Sequence, residues 1–297
     1  LVRACTDKAK QEEMLSWLYD EDRWPSGAAG GIVTKEEKYR QRSLMFTAHP
    51  YEKDQTIGYS SDMSARVGRS NQGYLLAKFD IKLNLDGTLA SYRRLAEGEK
   101  AAAGETQWYA YLETGAESPW YNNQTYIDTL DKAAIDKFIE ITHERYKETV
   151  GDEFDGVVPA IFTDEPQFTR KKVLSNSTDK EDILMPWTDD FANTYNAQYG
   201  EDILASLPEI FWELPDGKTS LTRYHYHDHL CERFTSAFAD QCGAWCGEHN
   251  LMLTGHVMLE PTLESQTTAL GEVMRSYRAF QLPGIDMLCN RTEFTTA

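Results

Sequence analysis

The chain has 297 residues, 41% of them hydrophobic and 26% charged, which is the balance of a water-exposed globular protein with room for a sizeable core. No apolar run approaches the ~20 residues that span a bilayer. The formal net charge of -18 excludes a phosphate backbone or an anionic membrane surface as natural partners, because either needs a basic footprint.

In chain order, residues 4–14 predict a helix, and "LSWLYD" predicts a short strand ending in Asp20, Glu21 and Asp22. The turn-rich "EDRWPSGAAGG" follows, punctuated by Pro25 and by glycines at 27, 30 and 31. Residues 35–125 change character: "SLMFTAHPYE", "GYLLAKFDIKLNL" and "TQWYAYLET" carry aromatic and branched residues in partial alternation. Asp86-Gly87 sits between two such runs and predicts a hairpin, so this stretch is expected to be an inserted antiparallel β subdomain. Helical periodicity returns over 130–149, with Ile135, Phe138, Ile139, Thr142 and Tyr146 on one face.

The strand "VPAIFTDEP" is next, then a long helix over about 219–249 and the strand "LMLTGHVMLEP". A helix over about 262–279 and a strand "GIDMLCN" complete the order. Strands alternating with helices imply a parallel sheet. The glycine-rich turn holds no GxGxxG, which argues against a dinucleotide-binding open sheet. The expected fold is therefore α/β, a partial (β/α)8 TIM barrel, with residues 1–34 and 126–297 in the barrel and 35–125 inserted.

Function in such folds gathers at the carboxyl ends of the strands. Those ends carry Asp20 and Glu21, then Asp164 and Glu165, then His256 and Glu260, then Asp286 followed by Glu293. Two carboxyl groups facing one pocket suit glycoside hydrolysis, one held protonated for the leaving oxygen and the other serving as base or nucleophile. Glu165 and Glu260 form the leading catalytic pair. Asp20, Glu21, Asp164, His256, Asp286 and Glu293 are candidate substrate contacts, with Glu293 also a competitor for the second catalytic place. Trp24, Trp120 and Tyr121 are candidate stacking surfaces for a sugar ring, although each is also an ordinary core or loop residue. A non-catalytic carbohydrate-binding module with the same pocket is the alternative reading.

The run "YHYHDH" at 224–229 fails the HxHxDH order, and no glutamate follows His225 as in HExxH, so a solvated or capping role is expected for its histidines. Cys242 and Cys246 lack CxxC spacing, and the five scattered cysteines predict buried thiols rather than a disulfide framework. That usage favours a reducing compartment such as the cytoplasm. No metal site is expected from these residues. Both ends read as cut, so the chain is expected to be part of a longer protein.

"WLYDEDRWPSGAAGG", "FTDEP", "GHVMLEP" and "LPGIDML" resemble the catalytic region of large bacterial α-L-rhamnosidase-like glycoside hydrolases. The resemblance spans about residues 13–295 and is weakest over 35–115. It implies a (β/α)8 barrel with an inserted β domain and flanking β-sandwich domains, the missing barrel strands lying outside this chain. It also implies inverting hydrolysis of a glycoside or oligosaccharide, with Glu165 as acid and Glu260 as base. No organic cofactor is implied, but calcium lies near the sugar in some members. Rhamnose is the expected sugar, with a galactose-like specificity as the alternative.

Overall fold

The computed structural model describes residues 1–52 and 69–287. Its strands are β1 (Leu18–Tyr19), β2 (Arg42–Thr47), β3 (Tyr74–Leu83), β4 (Leu89–Arg94), β5 (Thr106–Thr114), β6 (Ala160–Asp164), β7 (Ile183–Pro186), β8 (Met252–His256) and β9 (Leu282–Pro283). The helices are α1 (Val2–Gln11), α2 (Lys132–Ile141), α3 (His143–Val150), α4 (Phe191–Tyr199), α5 (Ile203–Ser206), α6 (Leu221–Phe234), α7 (Asp240–Glu248), α8 (Leu263–Ala269) and α9 (Val273–Tyr277). The molecule is mixed α/β and divides into two compact units.

The first unit comprises residues 1–41, 117–168 and 231–297. Its sheet is parallel, in the order β1-β6-β8-β9. Leu18, Ile161 and Leu253 stand in register and are all buried. Tyr19, Phe162 and Thr254 follow in register and point to the opposite face, joined two residues later by Asp164 and His256. Tyr19 stacks on Phe162, and Phe162 meets the His256 ring edge-on at 5.6 Å. Helix α2 buries Ala134, Ile135, Phe138 and Ile139 and is capped by Asp131, whose side chain accepts from Ala133 N.

Gly255 pins the β6–β8 pairing. Its φ is +125°, and a Cβ there would lie 1.9 Å from Thr163 O, so only glycine allows the two strands to approach.

The second unit comprises residues 42–116 and 169–230. It holds an antiparallel sheet in the order β4-β3-β5-β2-β7. Phe46, Phe79, Trp108, Phe211 and Trp212 pack together in its core. The expected hairpin is present: Asn84 N donates to Thr88 O, and Gly87 has a φ of +83°.

Three expectations are corrected. The boundary of the β-rich part falls at 42–116 rather than 35–125, and residues 169–230 join it, because β7 pairs along the free edge of β2. The helix expected over 262–279 is broken into α8 and α9 at Gly271, whose φ is +94°. Of the strand expected over 284–290, residues 288–290 lie outside the described residues and 284–287 carry no strand; among the described residues β8 pairs with Leu282 and Pro283, and Gly284 N donates to Gly255 O. Among the described residues the parallel sheet is open and does not close into a barrel.

Candidate active site

Two adjacent parallel strands deliver the central groups. β6 ends at Asp164, after which Glu165 takes a φ of +49°, a left-handed conformation uncommon in a residue with a side chain. Its backbone is held there by a 3.0 Å hydrogen bond from Glu165 N to His256 O at the end of β8. Leu259, just before Glu260, is also left-handed, with a φ of +60°. The turn carrying Glu260 is tied to the start of α8: Ser265 Oγ donates to Leu259 O, and Gln266 Nε2 donates to Glu260 O. The left-handed backbone at Glu165 and at Leu259, next to Glu260, marks the two turns as a candidate functional site.

His256 joins them. Its Nδ1 lies 3.9 Å from Glu165 Oε1 and 3.7 Å from Glu260 Oε1, while Nε2 lies 3.3 Å from Asp164 Oδ1. Nδ1 is buried without a hydrogen bond of its own, facing both glutamates. The remaining oxygens are oriented by aromatic donors: Trp24 Nε1 donates to Glu165 Oε2 at 2.6 Å, and Tyr19 Oη to Asp164 Oδ2 at 2.6 Å. Burial pushes the Glu165 carboxyl above the ordinary carboxylate range, while the Trp24 hydrogen bond and His256 oppose the shift; Asp164 and Glu260 reinforce it.

Asp286 belongs to this cluster, since ligand atoms of Glu165, His256 and Asp286 all lie within 4.8 Å of one another. One imidazole and two carboxylates can hold a cation, and the imidazole suits a transition metal better than calcium, whose ligands are oxygens.

The "DED" acids do other work. Glu21 is buried, and its carboxylate accepts from Asp22 N, Gly27 N and Ala29 N, so it shapes the turn. Asp22 accepts from Gly30 N. Asp20 is buried and accepts from Ser26 Oγ; burial pushes its carboxyl up to about 7. Asp20 and Glu21 also border a cavity of about 710 Å³ with Ile32, Ile141, Arg145 and Tyr146. Trp120 is exposed beside the turn and donates from Nε1 to Trp24 O. Tyr121 is 2% exposed and packs on Tyr126, which leaves it no face for a sugar. Glu293 lies outside the described residues.

The structure thus gathers Asp164, Glu165, His256, Glu260 and Asp286 with Trp24, and it turns Asp20, Glu21 and Tyr121 to framework roles. Sequence reasoning missed Tyr19 and Ser26. Tyr19 was signalled by alternation in "LYD", which sends it to the face opposite Asp20.

The histidine run is structural. His229, expected to be solvated or capping, is instead buried, with hydrogen bonds to Thr194 Oγ1 and Gln198 Oε1. His227 Nδ1 meets Lys171 Nζ at 2.9 Å, and His225 lies against Glu201. Cys231, Cys242 and Cys246 are buried.

No family model and no curated protein matches the chain.

Proposed function

We propose that the chain is the catalytic part of a glycoside hydrolase, with Glu165 as general acid and Glu260 as general base. One observation carries the reading: Glu165, itself left-handed, and Glu260, preceded by the left-handed Leu259, follow adjacent parallel strands and converge on a single buried imidazole nitrogen. Desolvation favours the protonated form of Glu165, as an acid that must protonate a leaving oxygen near neutrality requires.

In the proposed reaction Glu165 gives its proton to the glycosidic oxygen as the bond to the anomeric carbon breaks. Glu260 takes a proton from the water that attacks the opposite face, which inverts the anomeric configuration. His256 sits between the two, its Nδ1 3.9 Å from Glu165 Oε1 and 3.7 Å from Glu260 Oε1. The half-buried indole of Trp24 lies beside the acid, where an apolar ring face of a sugar can stack. No step passes through a metal.

The open parallel sheet is read as part of a (β/α)8 barrel, since acids at several adjacent strand ends are how that fold builds a site. The motif resemblance directs the specificity reading to α-L-rhamnosides first and galactosides second. The test is a screen of the protein against nitrophenyl glycosides, with the product anomer followed by proton NMR. Turnover with inversion is expected. Absence of turnover on every sugar, with binding retained by calorimetry, would replace the reading with a carbohydrate-binding module.

A further inference from the structure

The turn between β1 and residue 31 is unusually well fastened, and its fastenings converge on one point. Asp20 N donates to Phe162 O at 3.0 Å, which extends the β1–β6 pairing by one residue. The fully buried Ser26 then bridges three groups. Its Oγ donates to Asp20 Oδ1 and accepts from Asp164 N at 2.7 Å, while its own N donates to Asp164 O at 2.8 Å. Ser26 therefore pairs with both main-chain groups of Asp164, the residue immediately before Glu165. Tyr126 Oη donates to Ser26 O, which holds the turn from its other side. Two residues before Ser26, Trp24 Nε1 reaches Glu165 Oε2.

We propose that Asp20 and Ser26 are positioning residues: they clamp the turn to the end of β6 and thereby set the Trp24 indole N–H on Glu165. An Ser26 hydroxyl with both its donor and acceptor capacities used in a buried site has one orientation, and Asp20 fixes it. Without Asp20 as acceptor the hydroxyl is free to rotate and competes as a donor against Asp164 N. Without the hydroxyl, Asp164 N is left buried and the turn loses its side-chain tie. Either change loosens Trp24, while leaving the Glu165 and Glu260 side chains themselves intact. The consequence for turnover rests on the acid role of Glu165 proposed above; the placement of Trp24 does not.

The test is carried on the full chain labelled with ¹⁵N-tryptophan. The Trp24 indole signal is assigned by its loss in Trp24→Phe, and its contact with Glu165 by its shift in Glu165→Gln. In Ser26→Ala the indole N–H should exchange with solvent about tenfold faster, as expected for loss of one hydrogen bond. Asp20→Asn keeps an acceptor of the same shape and should leave the signal near its parent position. Asp20→Leu removes the acceptor at similar volume and should reproduce Ser26→Ala, and it serves in its place if Ser26→Ala does not fold. An indole signal unmoved in folded Ser26→Ala or Asp20→Leu overturns the clamp. In an active enzyme, the loosening variants should lower kcat about tenfold with KM little changed, a split that lost stability alone does not produce. An indole that moves in a protein without glycosidase activity would keep the clamp and remove the hydrolase reading.

Discussion

Trp24 Nε1 donates to Glu165 Oε2 at 2.6 Å, so the carboxyl that burial pushes toward its protonated form is also the one held by an indole N–H. These influences oppose each other. Burial raises the Glu165 pKa and the Trp24 donor lowers it, because an N–H stabilises the carboxylate more than the acid. Removing the donor in Trp24→Phe should therefore raise the pKa further. A general acid then stays protonated to higher pH, so the basic limb of the kcat/KM profile should move to higher pH. A limb that moves to lower pH would contradict the assignment of Glu165 as acid.

Asp20 makes stability depend on pH. Its folded pKa is raised to about 7 by burial, above the ordinary value of 3.8, so the folded protein holds this proton more tightly than the unfolded chain does. Its contribution is fully present below pH 4 and is lost as pH rises through about 7. Wild type should lose stability between about pH 4 and pH 7, by up to several kcal/mol from this group. Asp20→Asn, which has no proton to release, should be free of that part of the loss. Thermal unfolding of both proteins across this range is the check, and parallel curves would contradict it.

Gly255→Ala should be among the most damaging single substitutions. The added Cβ meets Thr163 O at 1.9 Å, and the backbone already sits at a φ of +125°. Neither strand can yield without losing the pairing that brings Glu165 N to His256 O. Destabilisation beyond about 3 kcal/mol is expected from overlap and backbone strain together. A change below about 1 kcal/mol in denaturant unfolding would show that the strands lie further apart.

His229→Ala separates structure from chemistry. The ring is buried, bonded to Thr194 and Gln198, and edge-on to Phe191. Its loss should cost about 2–3 kcal/mol, through a cavity and through partners left unsatisfied. Hydrolysis at a permissive temperature should be unchanged. A loss of turnover without a loss of stability would point to chemistry in the "YHYHDH" run.

What the sequence made legible follows from how far each signal reaches. Alternation and turn chemistry are local, so β3, the Asp86-Gly87 hairpin and β5 could be read directly. Carboxylates closing apolar runs were equally visible, which is why Glu165, Glu260, Asp164, His256 and Asp286 were in view before the fold. Pairing between distant segments has no local signature. Nothing within "ILMP" says that it lies beside β2, and the second unit was accordingly drawn too small. The acids of "LYDED" show the same limit. Composition distinguishes no Asp20 that holds a serine from an aspartate that binds a sugar; only the direction of the side chain does.

The central claim is that Glu165 delivers a proton to a departing sugar. Its most direct test is Glu165→Gln, assayed on the nitrophenyl glycoside that the parent cleaves best, with thermal unfolding measured alongside. The variant should unfold at a similar temperature and lose about 10²–10⁴ in kcat/KM, the range that general acid catalysis supplies. A folded Glu165→Gln that retains activity within tenfold of the parent would contradict the account.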